Sequence, residues 1–275
     1  MARKHGLFRP HLGRSFPQVA STTLRDGGWY PFVNAEAAAL VARFTTTPTN
    51  ARKALIDNLI GSLKTGGVWS KSDCFYVEAA HSSQAARQNW IADQYNLTAV
   101  SSPTFVVDRG YTGDGSSSYL DTGFNPSTAV GNYALDSAAF GYWSRLNIQT
   151  GSASGFSDGT NAVLMNPRNG SDLTVARINS ATNLTPANTD ARGFFAINRS
   201  ASNVTNTFKN GVPGTPGSAL STSKPNGTIR FGALTAASFN AQQFAAGFIG
   251  ASLSDAEHLA LYNALLTYMQ AVGAA

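Results

Sequence analysis

From residue 97 onward the chain is cut into short apolar segments bounded by Gly, Asn, Asp, Ser or Pro, most of them too short for a stable helix. The segments 104–107, 118–122, 138–143, 173–178, 193–197, 205–209, 228–232 and 243–250 alternate or run apolar over strand lengths. That spacing predicts a mainly β protein with two packed antiparallel sheets. Lys209-Asn210-Gly211 carries residues that tolerate positive φ in a type I′ hairpin, and Pro225-Asn226-Gly227 is read the same way ahead of a strand. With 43% hydrophobic and only 13% charged residues, the chain has enough apolar surface to fill such a core and is not expected to be disordered.

The first 95 residues have another character. Residues 1–33 mix Gly, Pro, Phe and Arg without a period and read as an extended arm whose aromatics need a surface to cover them. Asn34 precedes an alanine-rich helical stretch to Phe44, and after Thr47-Pro48-Thr49 the apolar positions Ala54, Leu55, Leu59, Ile60 and Leu63 recur at helical spacing until Gly66-Gly67. Residues 69–95 read as further helix or mixed structure. The expected organisation is an arm over 1–33, a helical lead-in over 34–95 and a sandwich over 96–275. A closing helix over 254–272 starts at Ser254, with Glu257 three positions on as its capping-box partner.

The excess of 20 basic over 15 acidic residues sits in the arm, because Arg3, Lys4, Arg9, Arg14 and Arg25 precede every acidic residue. Five charges with no recognition motif do not mark a nucleic-acid protein, and nucleic acid is not expected as a partner. Cys74 is the single cysteine, which excludes an internal disulfide and a zinc site of several thiolates. No apolar run of about 18 residues occurs, so neither a membrane span nor a secretory leader is expected.

The stretches Lys209-Asn210-Gly211, 228–233, 244–257 and Leu261-Tyr262 together resemble the closing part of laminin-G-like/concanavalin-type jelly rolls. There an NG hairpin leads to a strand of the form hIGh and then to LSxAEhxxLY. Many members carry an acidic IDEVRIYNRALS where this chain has FIGASLS, so the Asp-Glu pair of that segment is missing here. Residues 52–64, 66–73, 79–90 and 108–127 are similar to virion proteins of tailed phages that infect alphaproteobacteria.

The resemblance implies a jelly-roll sandwich preceded by an arm and a helical hairpin and closed by a helix. It also implies a location in the virion, as a decoration, fibre or tail-associated structural protein without enzymatic activity. The arm residues Arg3, Lys4, Phe8, Arg9, Arg14, Phe16 and Trp29 would contact other virion proteins. The copies would form a homo-oligomer, a trimer being one arrangement, and the sandwich would recognise host surface polysaccharide. A stand-alone carbohydrate-binding module and a glycan-degrading enzyme remain the alternatives.

Hydrolysis of a glycan needs two carboxylates across the scissile bond. Only Glu36, Glu78 and Glu257 are glutamates, none falls in an expected strand, and Asp114 with Asp121 is the remaining pairing. His5, His11, His81 and His258 are too scattered for a metal cluster or a triad. Asp158-Gly159-Thr160-Asn161 and Asp114-Gly115-Ser116 offer hard oxygen ligands in turns, so Ca²⁺ at Asp158 and Asn161 stands beside plain turn chemistry. Otherwise no cofactor is expected. The glycines from Gly110 to Gly115 read as a turn between strands rather than a phosphate loop. Tyr111 and Tyr142 supply rings that could stack on a sugar, and with Asp114, Asp158 and Asn161 they form the expected ligand set. Alternation instead places Trp143 with Gly141 and Ala139 on one face, as core.

Overall fold

Long strands that are apolar on both faces require a covering layer on each side. The computed structural model, which describes residues 28–275, supplies both layers. The N-terminal part contains helices α1 (Ala35–Ala42) and α2 (Asn50–Thr65), then strand β1 (Ser72–Tyr76). Short strands β2 (Thr98–Val100), β3 (Thr104–Val106), β4 (Gly110–Thr112) and β5 (Tyr119–Asp121) lead to β6 (Ala138–Ser144). Next come β7 (Ser154–Ser157), β8 (Ala162–Asn166), β9 (Val175–Ser180), β10 (Gly193–Ala201), β11 (Val204–Lys209) and β12 (Val212–Pro213). The chain ends through β13 (Arg230–Phe231), β14 (Ala233–Thr235), β15 (Ser238–Phe239), β16 (Gln243–Gly250) and helix α3 (Asp255–Ala271).

The larger sheet has the order β12-β11-β10-β6-β16-β4-β3, with β1 beside the second half of β16. The second sheet runs β2-β5-β13-β7-β8-β9. Every pairing is antiparallel, and the protein is a mainly β sandwich of the jelly-roll kind. Phe140, Tyr142, Phe195, Ile197, Phe231, Phe244 and Ile249 fill the space between the sheets. On the opposite face of the larger sheet, Trp143, Phe194, Phe208 and Phe248 join Leu40, Ile60, Leu63, Leu261, Leu265 and Met269 of the helices in a second apolar cluster. Each such side chain contributes about 1.5–3 kcal/mol on burial. The helices are therefore a third layer, and they close the outer face of the larger sheet.

Local chemistry sets the helix ends. Ser254 and Glu257 form the expected reciprocal capping box at the start of α3. Past its other end, Arg109 donates to the Val272 carbonyl and Arg145 to that of Ala274, cations placed where the helix dipole favours them. Thr49 caps α2 by accepting from Arg52 N. Asn34 occupies the N-cap position of α1, but its side chain makes no cap and instead donates to the Asp57 carboxylate on α2. Among the described residues no helix is long and apolar enough to cross a membrane.

Several expectations are corrected. Residues 69–95 hold a 3-10 turn (Trp69–Lys71), β1 and a second 3-10 turn (Ala85–Arg87), not a regular helix. Alternation in β1 sends Cys74 and Tyr76 between the sheets and Phe75 toward the helices. Beyond β1, the buried Asn89 side chain replaces helical hydrogen bonds by donating to Asp73 O and Gln94 O and accepting from Phe75 N and Ile91 N. The Gly110 stretch is not all turn, because Gly110–Thr112 is strand β4. The Asn210-Gly211 hairpin forms as expected, with φ of 53° and 76° between paired Lys209 and Val212. Asn226 and Gly227 do not take positive φ. Gly227 lies against the Phe156 ring, where a Cβ would come within 2.1 Å of Cζ.

Of the arm, Arg3, Lys4, Phe8, Arg9, Arg14 and Phe16 lie outside the described residues. Trp29 is 79% exposed, while Phe32 is partly buried against the helix layer. The segment entering α1 is tied to α2 by Lys53 Nζ on the Gly28 carbonyl and by the Asp57 carboxylate on the amides of Val33 and Asn34.

Gly110 provides a test of this hand-off between strands along β16. At φ 93° a Cβ would lie 1.9 Å from the Phe244 carbonyl oxygen, whereas Gly123, at φ 67°, faces open space. Gly110→Ala is expected to cost about 3 kcal/mol and Gly123→Ala about 1 kcal/mol, measured by urea unfolding. Equal costs would contradict the packing described.

Candidate functional site

Hydrolytic chemistry would depend on a pair of free carboxylates, and the candidate acids are engaged elsewhere. Glu36 pairs with Lys64 at 2.8 Å, and Glu257 pairs with Lys71 at 2.7 Å while completing its capping box. Asp114 Oδ1 accepts the amides of Ser116, Ser117 and Ser118, each at 2.8 Å. Those bonds hold its pKa well below the usual carboxylate range. Asp121 accepts from Gly123 N and Thr228 Oγ1 and lies 3.6 Å from Arg230. Asp114 and Asp121 thus serve separate turns and do not face each other as an acid and base.

The expected ligand set is not gathered into one place. Tyr111 is 4% exposed and Tyr142 1% exposed, with hydroxyls donating to the carbonyls of Ser83 and Met165. Neither ring is open to a sugar, because in this sandwich the inward positions of β4 and β6 are core. Asp158 accepts the amides of Thr160 and Asn161, and the bond from Asn161 N leads in lowering its pKa. Asn161 directs its side-chain oxygen to Thr222. Asp158 and Asn161 therefore share a turn but spend oxygens on different partners. Among the described residues no group of three or more His, Cys, Asp or Glu could hold a metal ion.

One acid escaped the sequence reading. Glu78 follows β1 and continues its alternation onto the Cys74 and Tyr76 side, between the sheets. It sits where β1 leaves β16 and β4 takes its place, with Gly110 backed against its Cβ at 3.2 Å. The side chain is fully buried and neither oxygen has a hydrogen-bond partner. Burial pushes its pKa up to about 8. Such a proton-holding carboxyl has the pKa of a general acid, yet it is sealed and lines none of the grooves described here. A lone glutamate in an alanine-rich stretch gave no signal of this.

Two open grooves lie at the end of the larger sheet, on either side of the Asn210-Gly211 hairpin. One groove, of about 380 Å³, runs between the 186–188 loop and β11–β12, with Pro186, Phe195, Val212 and Pro213 as apolar walls and Lys209 and Asn188 as polar groups. Lys209 Nζ donates to Asn188 Oδ1 and the Asp190 carbonyl, both at 2.8 Å, and stands 5.3 Å from the Phe195 ring centroid. The second groove, of about 350 Å³, is lined by Trp143, Arg145, Asp190, Arg192 and Tyr262. Trp143 and Tyr262 stack at 5.8 Å with an interplanar angle of 11°. Arg192 grips both Asp190 oxygens, and Arg145 donates to Gln243 as well as Ala274. Asn210 lines both grooves. Apolar walls with a few directed polar groups suit a ligand that presents an apolar face beside polar groups. The hairpin itself was legible, but its groove partners at 145, 186–192 and 262 are distant in sequence and carried no motif.

Comparison with known proteins bears on the fold. No family model matches the chain, and no curated protein matches it. Among solved structures, a mutant Trypanosoma rangeli sialidase displaying trans-sialidase activity superposes with a TM-score of 0.51 at 10% identity, over 80% of this chain and 40% of that one. Another form of T. rangeli sialidase, in complex with a difluorinated KDN, gives 0.51 at 9% identity over 82% and 42%. The botulinum neurotoxin serotype D binding domain gives 0.50 at 10% identity over 71% and 52%. The chain therefore spans about two fifths of the sialidase chains it matches. These similarities show a shared sandwich architecture.

Glu78 makes a pH-dependent prediction. Its folded pKa, about 8, lies above the ordinary glutamate value of 4.5, so its contribution to stability is whole below pH 4.5 and is lost as pH rises through about 8. His258, buried and lowered to about 3, loses stability only on the acid side of 6.5. Between pH 6.5 and 8 the wild-type urea midpoint is expected to fall, and in Glu78→Gln this fall is expected to be largely absent. Parallel profiles for the two proteins would show that Glu78 is ionised in the fold.

Proposed function

We propose that this chain is a non-catalytic structural protein of a tailed-phage particle whose sandwich binds a glycan of the host surface in the grooves flanking the Asn210-Gly211 hairpin. The observation that carries the glycan reading is the pair of grooves itself, where apolar walls from Pro186, Val212, Pro213 and Tyr262 stand beside directed polar groups from Asn188, Lys209 and Arg192. Sugar rings present both an apolar C–H face and hydroxyls, and such a surface matches both. The helix layer supports placing the ligand at the sheet end, because the outer face of the larger sheet is closed by α1, α2 and α3. The non-catalytic reading rests on the candidate carboxylates: Glu36 and Glu257 are engaged in ion pairs, Asp114 and Asp121 in their turns, and Glu78 is sealed in the core.

The virion location rests on the sequence resemblance at 52–64, 66–73, 79–90 and 108–127. In this reading the basic arm binds neighbouring virion subunits, and copies of the chain assemble symmetrically, as a trimer or another closed ring.

Binding of the purified protein to a panel of host surface polysaccharides, with and without Ca²⁺, tests the glycan reading. Val212→Trp, at an exposed position, is expected to fill one groove and weaken binding about tenfold, about 1.4 kcal/mol, with the melting temperature unchanged. Absence of binding by the folded protein to every polysaccharide, or release of cleaved products, would overturn it. For the virion reading, deletion of residues 1–33 is expected to abolish incorporation into particles while leaving glycan binding intact.

A further inference from the structure

The two grooves share Asn210 and carry an unequal set of charges. Their side chains include three cations, Arg145, Arg192 and Lys209, and one acid, Asp190. Asp190 is already saturated by Arg192, which bonds both of its oxygens. Lys209 uses Asn188 and the Asp190 carbonyl, leaving a further N–H outside those bonds. Arg145 is held by Ala274 and Gln243 through Nε and Nη1, which leaves Nη2. Arg192 likewise keeps Nη1. Donors are thus in surplus on both sides of the hairpin, because the groove acceptors Asp190, Asn188 Oδ1 and Asn210 Oδ1 are already taken up by Arg192, Lys209 and the Phe194 amide.

We infer that the ligand is an extended carboxylated polysaccharide that crosses the Asn210 hairpin and lies in both grooves at once, with acidic groups meeting Lys209 on one side and Arg192 and Arg145 on the other. This rests on the glycan reading above and narrows it. Guanidinium forks match carboxylates in a planar, two-bond geometry, and such charge-assisted bonds are stronger than those to hydroxyls. A polymer is required rather than a single sugar, because each groove alone holds only part of the cationic set. The aromatic rings of the grooves argue against nucleic acid as the polyanion. Trp143, Phe195 and Phe208 are buried, which leaves Tyr262 as a single partly exposed ring and no row of rings on which successive bases stack.

The experiment compares polygalacturonate, dextran sulfate, neutral dextran and single-stranded DNA as ligands of the full chain, with a length series of galacturonate oligomers. Polygalacturonate is expected to bind most tightly, to weaken as salt rises, and to gain affinity with length until both grooves are filled. Arg192→Met and Lys209→Met are each expected to lose about tenfold on the long polymer, with Lys209→Arg keeping most of it and Arg192→Lys only part, because an ammonium does not reproduce the two-bond fork. Asp190→Asn, which releases Arg192, is expected to tighten binding. Preference for neutral dextran or another neutral polysaccharide, or unchanged affinity in both Met variants, would overturn the carboxylate inference and leave the glycan reading standing. Equal binding of single-stranded DNA and polygalacturonate would overturn it in favour of a general polyanion surface. Failure of the folded protein to bind any polysaccharide would remove both readings together.

Discussion

The pairing of β6 with β16 at the centre of the larger sheet, with apolar side chains on both faces, is the constraint from which the other layers follow. Phe140 and Tyr142 point between the sheets while Ala139 and Trp143 point away, and β16 repeats the pattern with Ile249 and Phe248. Such strands cannot face water on either side without exposing large apolar area. The second sheet covers one face, and α1, α2 and α3 cover the other. Gly141 and Gly247 allow this closeness: a Cβ at Gly141 would meet the Phe195 carbonyl at 2.5 Å, and one at Gly247 would meet the Phe231 ring at 2.4 Å.

Covering both faces has a functional consequence. A polymer cannot lie across the outer face of the larger sheet, so the proposed glycan site falls at the sheet end, where the 186–193 loop and the β11–β12 hairpin meet α3. There the polar groups gather because the register of β10 against β11 and β6 sets Gly193 opposite Ser144 and Phe195 opposite Lys209, bringing the 188–193 loop beside Arg145 and Lys209. Asp114, Asp121 and Asp158 lie apart in the β4–β5 turn, on β5 and in the β7–β8 turn, and each accepts amides of its own turn.

Glu78 marks where the packing is under electrostatic tension. Along β16, β1 gives way to β4, and the carboxyl at that junction lies inside the core with neither oxygen hydrogen-bonded. A buried charge there would be costly, so the group keeps its proton. Its neighbours Tyr76 and Tyr111 turn their hydroxyls elsewhere, to the carbonyls of Tyr95 and Ser83.

The sequence by itself determined the features that depend on near neighbours. Period-two alternation marked the long strands, Asn210-Gly211 marked a type I′ hairpin because few other residues accept that backbone, and Ser254 with Glu257 marked the start of α3. Where local signals were ambiguous the reading failed. Alanines in 69–95 left helix and mixed structure both open, and Asn89 and β16 claim that backbone for the mixed structure; Asn226-Gly227 suggested a positive-φ turn although Gly227 is there to admit Phe156. Tertiary structure alone decided which residues meet: that Tyr111 and Tyr142 are core, that Glu78 is buried without a partner, and that Arg145, Asp190, Arg192, Lys209 and Tyr262 border shared grooves. These depend on strand register and helix placement between residues far apart in the chain, and periodicity within a short window carries no information about such distances.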